Sequence, residues 1–400
     1  MPKRRILLCW GYHRKGWLHS FNALNEEFNF HYLFHISKPK NEINHSLSEN
    51  LHYWSDFNSA QQIIEEIKPS KIVFMSTEGI HSTGLNIVAK HEGIETLVVQ
   101  HGMFHKYDDY LKLAIEENKQ RSKSVAQSNT AAPVNRRFLL KFFLRSVWYY
   151  PRAILYMLRL QYLKRTLLEI EALRKLKSNY RIASKYVVFT KQNASIFVER
   201  DGVDPDRMIE VGNPEMDDFV NYIPSKKSEK NYLLLIDQSW SEVKEFNSPG
   251  FGISKQQTVD FHLKLSEYAK TIGCSLKIKL HPYSYNSDFF PKDDNIEYLK
   301  DTNVVPYIME ADGIFGFNST LMIPSIYFNK SCLFRIWDQS DFQNEVDKLD
   351  VATVLDYHNF ELADINFKAP DVKGLKAFVA KYLFRVDGNS IKRLGKVLAS

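Results

Sequence analysis

Cysteine is scarce in this sequence, and its placement excludes two kinds of structure. Cys9, Cys274 and Cys332 are the three cysteines among 400 residues, and no CxxC pair or Cys/His spacing accompanies them. An odd number of widely separated cysteines does not build a disulfide framework or a structural zinc site. The pattern is typical of a protein from a reducing compartment.

Long apolar runs are also missing. A membrane-spanning helix needs ~20 mostly apolar residues. Arg137, Arg145 and Arg152 interrupt the most hydrophobic region of the chain. The apolar stretch at residues 6–10 is too short for the core of a signal peptide and predicts a first strand instead. We therefore expect a cytoplasmic protein without a transmembrane helix.

Acidic residues are absent from residues 118–168, although the net charge of the whole chain is a modest +6. That small excess does not indicate a nucleic-acid partner. Apolar and aromatic residues at helical spacing predict a helical insertion over residues 118–180. Two interpretations follow: residues 118–168 dock on an anionic membrane surface, or they pack under the first domain and leave a solvated basic rim. The basic residues of this segment are Lys119, Arg121, Lys123, Arg136, Arg137, Lys141, Arg145, Arg152, Arg159, Lys164 and Arg165.

Short runs of β-branched and aromatic residues alternate with helical patterns along the chain. The runs are RRILLCW, FNFHYLFHI, KIVFMS, TLVVQ and KYVVFT, then NYLLLID, CSLKIKL, DGIFGF and KSCLFRI. This alternation is typical of βαβ units with buried parallel strands. It predicts an α/β protein with two doubly wound Rossmann-like domains, 1–212 and 231–400, and a linker at 213–230. Ligands would bind in a central cleft that the carboxyl ends of both sheets face.

In the second domain, two strand ends carry side chains that suit a nucleotide phosphate. The strand in KIKLHP ends on His281 and Pro282, where an imidazole can stabilise or protonate a departing phosphate. The strand in DGIFGFNST leads to Ser319 and Thr320 at a predicted helix start, where N–H groups and hydroxyls favour an anion. The alternatives are a surface histidine in a turn and a helix cap without a ligand.

Two titratable groups follow strands of the first domain. Glu78 comes after KIVFMST, and His101 comes after TLVVQ. Either side chain could take the proton from an acceptor hydroxyl, which is the general-base step of a glycosyl transfer. The alternative interpretations are an acidic residue favoured by a helix dipole for Glu78 and a ligand-free loop histidine for His101.

Other patterns lack part of the chemistry that they suggest. GYHRKG at residues 11–16 has the glycine spacing of a phosphate loop but lacks the following Lys-Ser/Thr pair. Acid pairs such as Asp108 and Asp109 have no histidine at ligand spacing, so we expect no dedicated metal site. No serine lies in a GxSxG elbow, which argues against a hydrolase.

The motifs STEG, KLHP and FNST, in this order over residues 6–336, resemble the motif set of bacterial sialyltransferases and Kdo transferases. Those families have the two-domain GT-B architecture and use CMP-activated sugars without a metal. The resemblance implies that Glu78 is the base and that His281 is the acid or charge partner of the leaving phosphate. Where those families carry the first residue of an acidic pair, this chain has Thr77. The residues that would contact the nucleotide are Lys279, Pro282, Asn318, Ser319 and Thr320.

A second resemblance begins at QHG, residues 100–102. Followed by GNPEMD, KLHP and FNST, it is similar to CDP-glycerol glycerophosphotransferases and capsule-export-linked transferases. In those proteins a His-Gly strand end supplies the base, which here would be His101. Both resemblances imply a GT-B fold and a cytidine nucleotide as the donor.

Together these patterns predict a glycosyltransferase of surface polysaccharide or lipopolysaccharide biosynthesis. It would move a Kdo- or sialic-type acid from a CMP donor to a glycan or lipid-linked acceptor, without a separate cofactor. The alternatives are a polyol-phosphate transferase that uses a CDP donor and a non-catalytic assembly subunit. The basic segment adds the expectation of a peripheral position at the inner face of the cell membrane.

Overall fold

The computed structural model describes residues 3–11, 15–38, 50–104, 106–112, 114–115, 134–224, 231–241, 253–336 and 341–400. The chain divides into two compact units. Unit 1 comprises Met1–Glu215 together with Asn389–Ser400, and unit 2 comprises Met216–Gly388.

Thirteen strands are seen in the described residues. In chain order they are β1 Arg4–Cys9, β2 Phe28–Leu33, β3 Leu51–His52, β4 Lys71–Phe74, β5 Glu95–Val99, β6 Lys185–Val188, β7 Met208–Glu210, β8 Tyr232–Ile236, β9 Ser275–Lys279, β10 Ile296–Leu299, β11 Gly313–Gly316, β12 Ser331–Arg335 and β13 Thr353–Asp356.

Helices connect and cover the strands. They are α1 Lys15–Asn22, α2 Ala60–Ile67, α3 Ile80–His91, α4 Val134–Val147, α5 Pro151–Thr166, α6 Glu169–Lys175, α7 Met216–Val220, α8 Lys255–Thr271, α9 Val305–Glu310, α10 Met322–Phe328, α11 Asp341–Lys348, α12 Val372–Tyr382 and α13 Ser390–Ala399. Single helical turns occur at Trp54–Asp56, Phe197–Asp201, Pro205–Arg207, Pro282–Ser284 and Leu362–Asp364.

Unit 1 is built on a parallel sheet with the strand order β3-β2-β1-β4-β5-β6-β7. Successive side chains of a strand point to opposite faces, so each strand contributes to two cores. Leu7 and Ile72 lie in one core, and Ile6 and Val73 lie in the other. Burial on both faces explains why the strands are continuous apolar runs in the sequence.

Unit 2 repeats the arrangement with the order β10-β9-β8-β11-β12-β13. Counted within each unit, both sheets begin with the order 3-2-1-4-5-6, which is that of dinucleotide-binding Rossmann folds. The predicted α/β fold with two Rossmann-like domains is therefore confirmed. The strand order reverses between β1 and β4 in unit 1 and between β8 and β11 in unit 2, and we call each of these places the switch point of its unit. Ligands of such sheets bind at the switch point, beyond the carboxyl ends of the strands.

The division of the chain differs from the predicted boundaries at two places. The last helix, α13, belongs to unit 1, because Leu394 and Leu398 are buried in the core that contains Ile6. The predicted linker at 213–230 contains α7, whose Phe219 stacks on Phe328 of unit 2 at 5.8 Å between ring centroids. Buried apolar side chains thus explain why α13 packs in unit 1 and why α7 packs in unit 2.

The basic segment forms helices α4 and α5, and its first part, residues 118–133, lies outside the described residues. One face packs inward: Phe142 and Phe143 on α4 are buried, as are Tyr156 and Leu160 on α5. The helical insertion that the sequence predicts is thus present over its described part. Within the described residues, no helix combines the length and the apolar character that crossing a bilayer requires.

Candidate active site

His281 lies at the carboxyl end of β9, where the chain turns sharply. Pro282 occupies the first position of the single helical turn Pro282–Ser284, which fixes the direction of the chain directly after the histidine. The Nδ1 atom of His281 is 3.0 Å from Oγ of Ser239 and accepts a longer bond, 3.4 Å, from the backbone N–H of Tyr283. Ser239 follows β8, the strand next to β9.

These two contacts favour one tautomer of the imidazole ring. A backbone N–H can only donate, so the bond from Tyr283 favours the tautomer in which Nδ1 of His281 is an acceptor without a proton. The Ser239 hydroxyl then donates to the same atom. The neutral ring carries its proton on Nε2, which makes that atom a hydrogen-bond donor suited to a phosphate oxygen.

The segment after β11 contains Asn318, Ser319 and Thr320. The Ser319 hydroxyl accepts a bond from the N–H of Leu321 at 3.3 Å, and the Thr320 carbonyl accepts one from the N–H of Ile323 at 3.1 Å. The helix begins at Met322 rather than at Ser319 or Thr320, and its cap residue, Leu321, makes no side-chain cap bond, so the Ser319 hydroxyl closes the turn before the helix. The following helix, α10, has seven residues.

Gly316 at the end of β11 allows this turn to form. A Cβ atom at this position would lie 2.2 Å from the sulfur of Met322, which is fully buried at the start of α10. Real Cβ atoms do not approach so closely, so a side chain at residue 316 would require the buried Met322 side chain to move. The glycine thus leaves room for Met322 below the turn.

Gln238 joins the ends of β8 and β11 and was missed by the sequence reasoning. Its Nε2 donates to the backbone carbonyl of Asn318 at 2.9 Å. The side-chain oxygens Oε1 of Gln238 and Oδ1 of Asn318 are both buried, and neither has a hydrogen-bond partner within the described part of the chain. The signal in the sequence is the polar QS pair that follows the apolar run NYLLLID.

Two of the predicted residues of unit 2, His281 and Asn318, each contact a residue that follows β8. Ser239 contacts His281, and Gln238 contacts Asn318, at the carboxyl ends of the adjacent strands β9, β8 and β11. Lys279 has a local contact, because its Nζ donates to the carbonyl of Leu280 at 2.9 Å.

In unit 1, Glu78 is engaged in a network of charges. Its carboxylate lies 2.5 Å from a guanidinium nitrogen of Arg200, which also contacts Asp201, and Asp201 pairs with the buried Arg181 at 3.0 Å. Burial alone would lower the pKa of Arg200, but the charges of Glu78 and Asp201 raise it above its ordinary value. Arg200 is the more buried partner of the pair, and the Glu78 side chain is 36% exposed.

Thr77, the residue before Glu78, is buried. Its hydroxyl donates to the carbonyl of Arg181 at 2.6 Å, and its own carbonyl accepts a bond from the Thr83 hydroxyl at 2.8 Å. Its contacts therefore hold the loop between β4 and α3 in place.

His101 lies beyond β5 and lines a pocket of unit 1. Its ring meets that of Trp10 edge to face, with 5.7 Å between centroids. The neighbouring Gln100 is fixed, because its Nε2 donates to Asn193 and its Oε1 accepts from the N–H of Phe189. The pocket is lined by Trp10, Ser20, Phe21, Val99, Gln100, His101, Gly102, Phe189, Asn213, Pro214, Glu215 and Leu394.

The two candidate bases thus have different surroundings. His101 lines a pocket, and Glu78, which is not among the lining residues, is held by Arg200. Among the residues that the structure describes, no three His, Cys, Asp or Glu side chains come together as a metal site would require.

Comparison with known proteins gives a likeness in fold. No family model matches the sequence, and no curated protein is similar to it in sequence. The wall teichoic acid polymerase TagF aligns with 100% of this chain and 89% of its own, with a TM-score of 0.50 and 12% sequence identity. A TagF variant soaked with CDPG aligns over the same shares with a TM-score of 0.51 and 12% identity. The glycotransferase of kitacinnamycin covers 100% of this chain and 95% of its own, with a TM-score of 0.48 and 10% identity. Over its whole length, the chain therefore shares its fold with TagF.

Proposed function

We propose that this protein is a transferase that moves a group from a cytidine-nucleotide donor to an acceptor hydroxyl. The observation that carries the proposal is the polar cluster at the switch point of unit 2, where Ser239 contacts His281 and Gln238 contacts Asn318. The likeness in fold to TagF supports a transferase. The resemblance of KLHP and FNST to the motifs of cytidine-dependent families supports the choice of nucleotide.

In this proposal His281 stabilises the leaving nucleotide. Its Nε2–H donates to an oxygen of the leaving phosphate, which gains negative charge as the bond to the transferred group breaks. The Thr320 hydroxyl is a second donor to that phosphate. Ser319, Lys279 and Pro282 shape the two strand ends through their local contacts.

His101 is the base that the geometry favours. It would accept the proton of the acceptor hydroxyl as that oxygen forms a bond to the transferred group and the donor's bond to the nucleotide breaks. His101 lines a pocket of unit 1, whereas the Glu78 carboxylate, which is not among the lining residues, is paired with Arg200. Glu78 is assigned to holding the loop after β4.

The transferred group follows from this assignment. A histidine base at a His-Gly strand end is the feature of the CDP-glycerol-type resemblance, and a TagF variant soaked with CDPG is among the structures that share the fold. We therefore favour a polyol phosphate from a CDP-linked donor. A Kdo- or sialic-type acid from a CMP donor is the second candidate, which the STEG motif supports, and a surface polysaccharide or lipopolysaccharide is the acceptor class in both cases.

Thermal shift with free nucleotides tests the donor assignment. CMP and CDP should raise the melting temperature more than UMP and GMP, because a ligand that binds only the folded state stabilises it by mass action. His281→Ala should reduce turnover by about two to three orders of magnitude while the fold stays intact. His358→Ala, which removes an exposed histidine of the same unit, is the matched control. Equal shifts for all four nucleotides would exclude the cytidine assignment.

A turnover screen then identifies the donor and separates an enzyme from an assembly subunit. Release of nucleotide from CMP, CDP, UDP and GDP conjugates would be followed with and without a glycan acceptor. Turnover of a CDP-polyol supports the favoured candidate, and turnover of a CMP-sugar acid supports the second. Absence of turnover with every donor would favour the non-catalytic assembly subunit.

We also propose that helix α5 and the turn before it dock on an anionic membrane, where lipid-linked acceptors would be presented. The exposed face of α5 carries Leu155, Leu158 and Tyr162, and the turn carries Trp148 and Tyr149, which are 70% and 82% exposed. The exposed cations Arg152, Arg159 and Arg165 lie on the same helix. Apolar side chains can enter the lipid boundary while the cations meet acidic headgroups.

Liposome co-sedimentation tests this surface. Binding should require anionic lipid, weaken with salt and fall when Arg152, Arg159 and Arg165 are changed to Glu. The matched control changes three exposed lysines on α11 and α12 of unit 2 to Glu and so alters the net charge equally; they are Lys348, Lys373 and Lys376. Equal loss of binding in both variants, or no binding at low salt, would contradict docking through α5.

A further inference from the structure

Two buried amide oxygens at the switch point of unit 2 lack hydrogen-bond donors within the described part of the chain. They are Oε1 of Gln238, just after β8, and Oδ1 of Asn318, just after β11. A buried acceptor without a partner is costly and uncommon in native proteins. Its presence at the place where a Rossmann-like sheet binds its ligand points to a group of the ligand that donates hydrogen bonds.

The orientation of the Gln238 amide is determined by its contact with residue 318. Its Nε2 donates to the backbone carbonyl of Asn318, and a carbonyl can accept only from a donor. The amide therefore cannot be reversed without placing two acceptor oxygens against each other. Oε1 is consequently fixed as an acceptor at the end of β8.

An acceptor oxygen does not suit a phosphate. The oxygens of an ionised phosphate accept hydrogen bonds and carry negative charge, so they would repel the amide oxygens. The donor groups of a nucleotide are the ribose hydroxyls and the exocyclic amino group of the base. Gln238 and Asn318 thus offer hydrogen-bond acceptors, whereas His281 offers a hydrogen-bond donor at the same end of the sheet.

We infer that Gln238 and Asn318 bind the nucleoside part of the donor by accepting hydrogen bonds from its O–H or N–H groups. This inference rests on the proposed cytidine-nucleotide donor, and it assigns a specificity-determining role to Gln238. The shared chemistry is a hydrogen-bond donor, which cytidine offers in two kinds: the ribose hydroxyls, of which the inference commits to the 2′-hydroxyl, and the 4-amino group of the base.

Isothermal titration of the full chain with CMP, 2′-deoxy-CMP and UMP distinguishes these sources. We expect Gln238→Leu to weaken CMP binding about tenfold, the loss of a single well-formed hydrogen bond. If the ribose is the source, the variant loses the preference for CMP over 2′-deoxy-CMP and keeps the preference over UMP. If the amino group is the source, the variant loses the preference for CMP over UMP and keeps the preference over 2′-deoxy-CMP.

Two further variants make the test independent of folding. Asn318→Ala removes the second oxygen and leaves the contact of Gln238 intact, because that contact goes to the backbone carbonyl of residue 318. Gln256→Leu, on the exposed side of α8, is the matched control and should bind all three nucleotides as the wild type does. Unchanged affinities and preferences in both Gln238→Leu and Asn318→Ala would overturn the inference while the proposed function stands. A wild-type protein that binds none of the nucleotides would overturn both.

Discussion

The Ser239 hydroxyl, by donating to Nδ1 of His281, helps to keep the imidazole proton on Nε2. Ser239→Ala removes this donor and leaves the longer bond from the Tyr283 N–H. We expect kcat to fall about five- to tenfold with KM nearly unchanged, because the contact matters most when charge develops on the phosphate. Nitrogen NMR of the ring should show a mixture of the two neutral tautomers in the variant.

The control for this variant is Ser331→Ala, which removes a buried hydroxyl from β12 of the same unit. It should change neither the tautomer nor kcat. A wild-type spectrum with the proton on Nδ1 of His281 would contradict the geometry, and so would equal activity losses in the two serine variants.

The choice between the two bases of unit 1 can be made with Glu78→Gln and His101→Ala. His101→Ala should lower kcat at least a hundredfold and remove the fall in rate on the acidic side of the pH profile, where a base becomes protonated. Glu78→Gln should retain most of the activity but lower stability, because Arg200 loses one of its two carboxylate partners. A Glu78→Gln enzyme without activity would reassign the base.

His281 and the segment containing Asn318 could be found from the sequence because each directly follows an apolar strand. The same rule applied to the run NYLLLID would have identified Gln238 and Ser239. The pairing of Glu78 with Arg200 could not be found, because the two residues are 122 positions apart and meet through the fold of unit 1. Whether a carboxylate is available for catalysis depends on such contacts.

Two histidines pair at the edge of the sheet of unit 1. Nδ1 of His31 on β2 is 3.1 Å from Nε2 of His52 on β3, and the rings are stacked. Burial, the charge of His52 and the charge of Arg5 lower the pKa of His31 to about 4. Burial also lowers the pKa of His52, although Asp56 and Glu66 act in the opposite direction.

The lowered pKa of His31 predicts that the protein loses stability in acid. Below a pH of about 6.5, His31 takes up a proton in the unfolded chain, whereas in the folded protein it does not bind one until about pH 4. The free energy of unfolding therefore falls as the pH is lowered across this window. His31→Gln should make the fall shallower by less than about 1.4 kcal/mol per pH unit, because the half-exposed ring is partly screened. Urea unfolding at pH 7.5, 6 and 5 measures this. An equal change in slope for the exposed His358→Gln would contradict it.

The strands that the sequence predicts are those marked by an apolar run or by a clear alternation. The nine predicted runs correspond to β1, β2, β4, β5, β6, β8, β9, β11 and β12. The strands β3, β7, β10 and β13 were missed. Each is two to four residues long, and most of their side chains are only partly buried, so neither an apolar run nor a clear alternation marks them.

Helix α13 completes the core of unit 1 with residues from the far end of the chain. Leu398→Ala should lower the free energy of unfolding by about 2–5 kcal/mol, since the side chain is fully buried. Hydrogen exchange should show the loss of protection in β1 of unit 1. Leu383→Ala, an equally buried leucine of unit 2, is the control and should weaken protection in unit 2. Exchange that increases in unit 2 for Leu398→Ala would contradict the assignment.

The number of domains and their α/β class could be predicted from the length of the chain and from the alternation of strand and helix patterns. The assignment of α13 to unit 1 could not be predicted. The helix follows unit 2 in sequence, and its apolar face does not indicate which of the two sheets it packs on. The close approach of Gly395 to Leu24, where a Cβ atom would lie 3.0 Å from the leucine side chain, shows how closely the helix packs on unit 1. Such a long-range contact has no local signal.

The return of the chain to unit 1 has a consequence for synthesis. The 173 residues of unit 2, Met216–Gly388, are made between the two parts of unit 1. At about 5–20 residues per second, a ribosome needs about 9–35 seconds to make them. During that time the sheet face that will receive Leu394 and Leu398 is uncovered, so this core of unit 1 stays incomplete until α13 has been made.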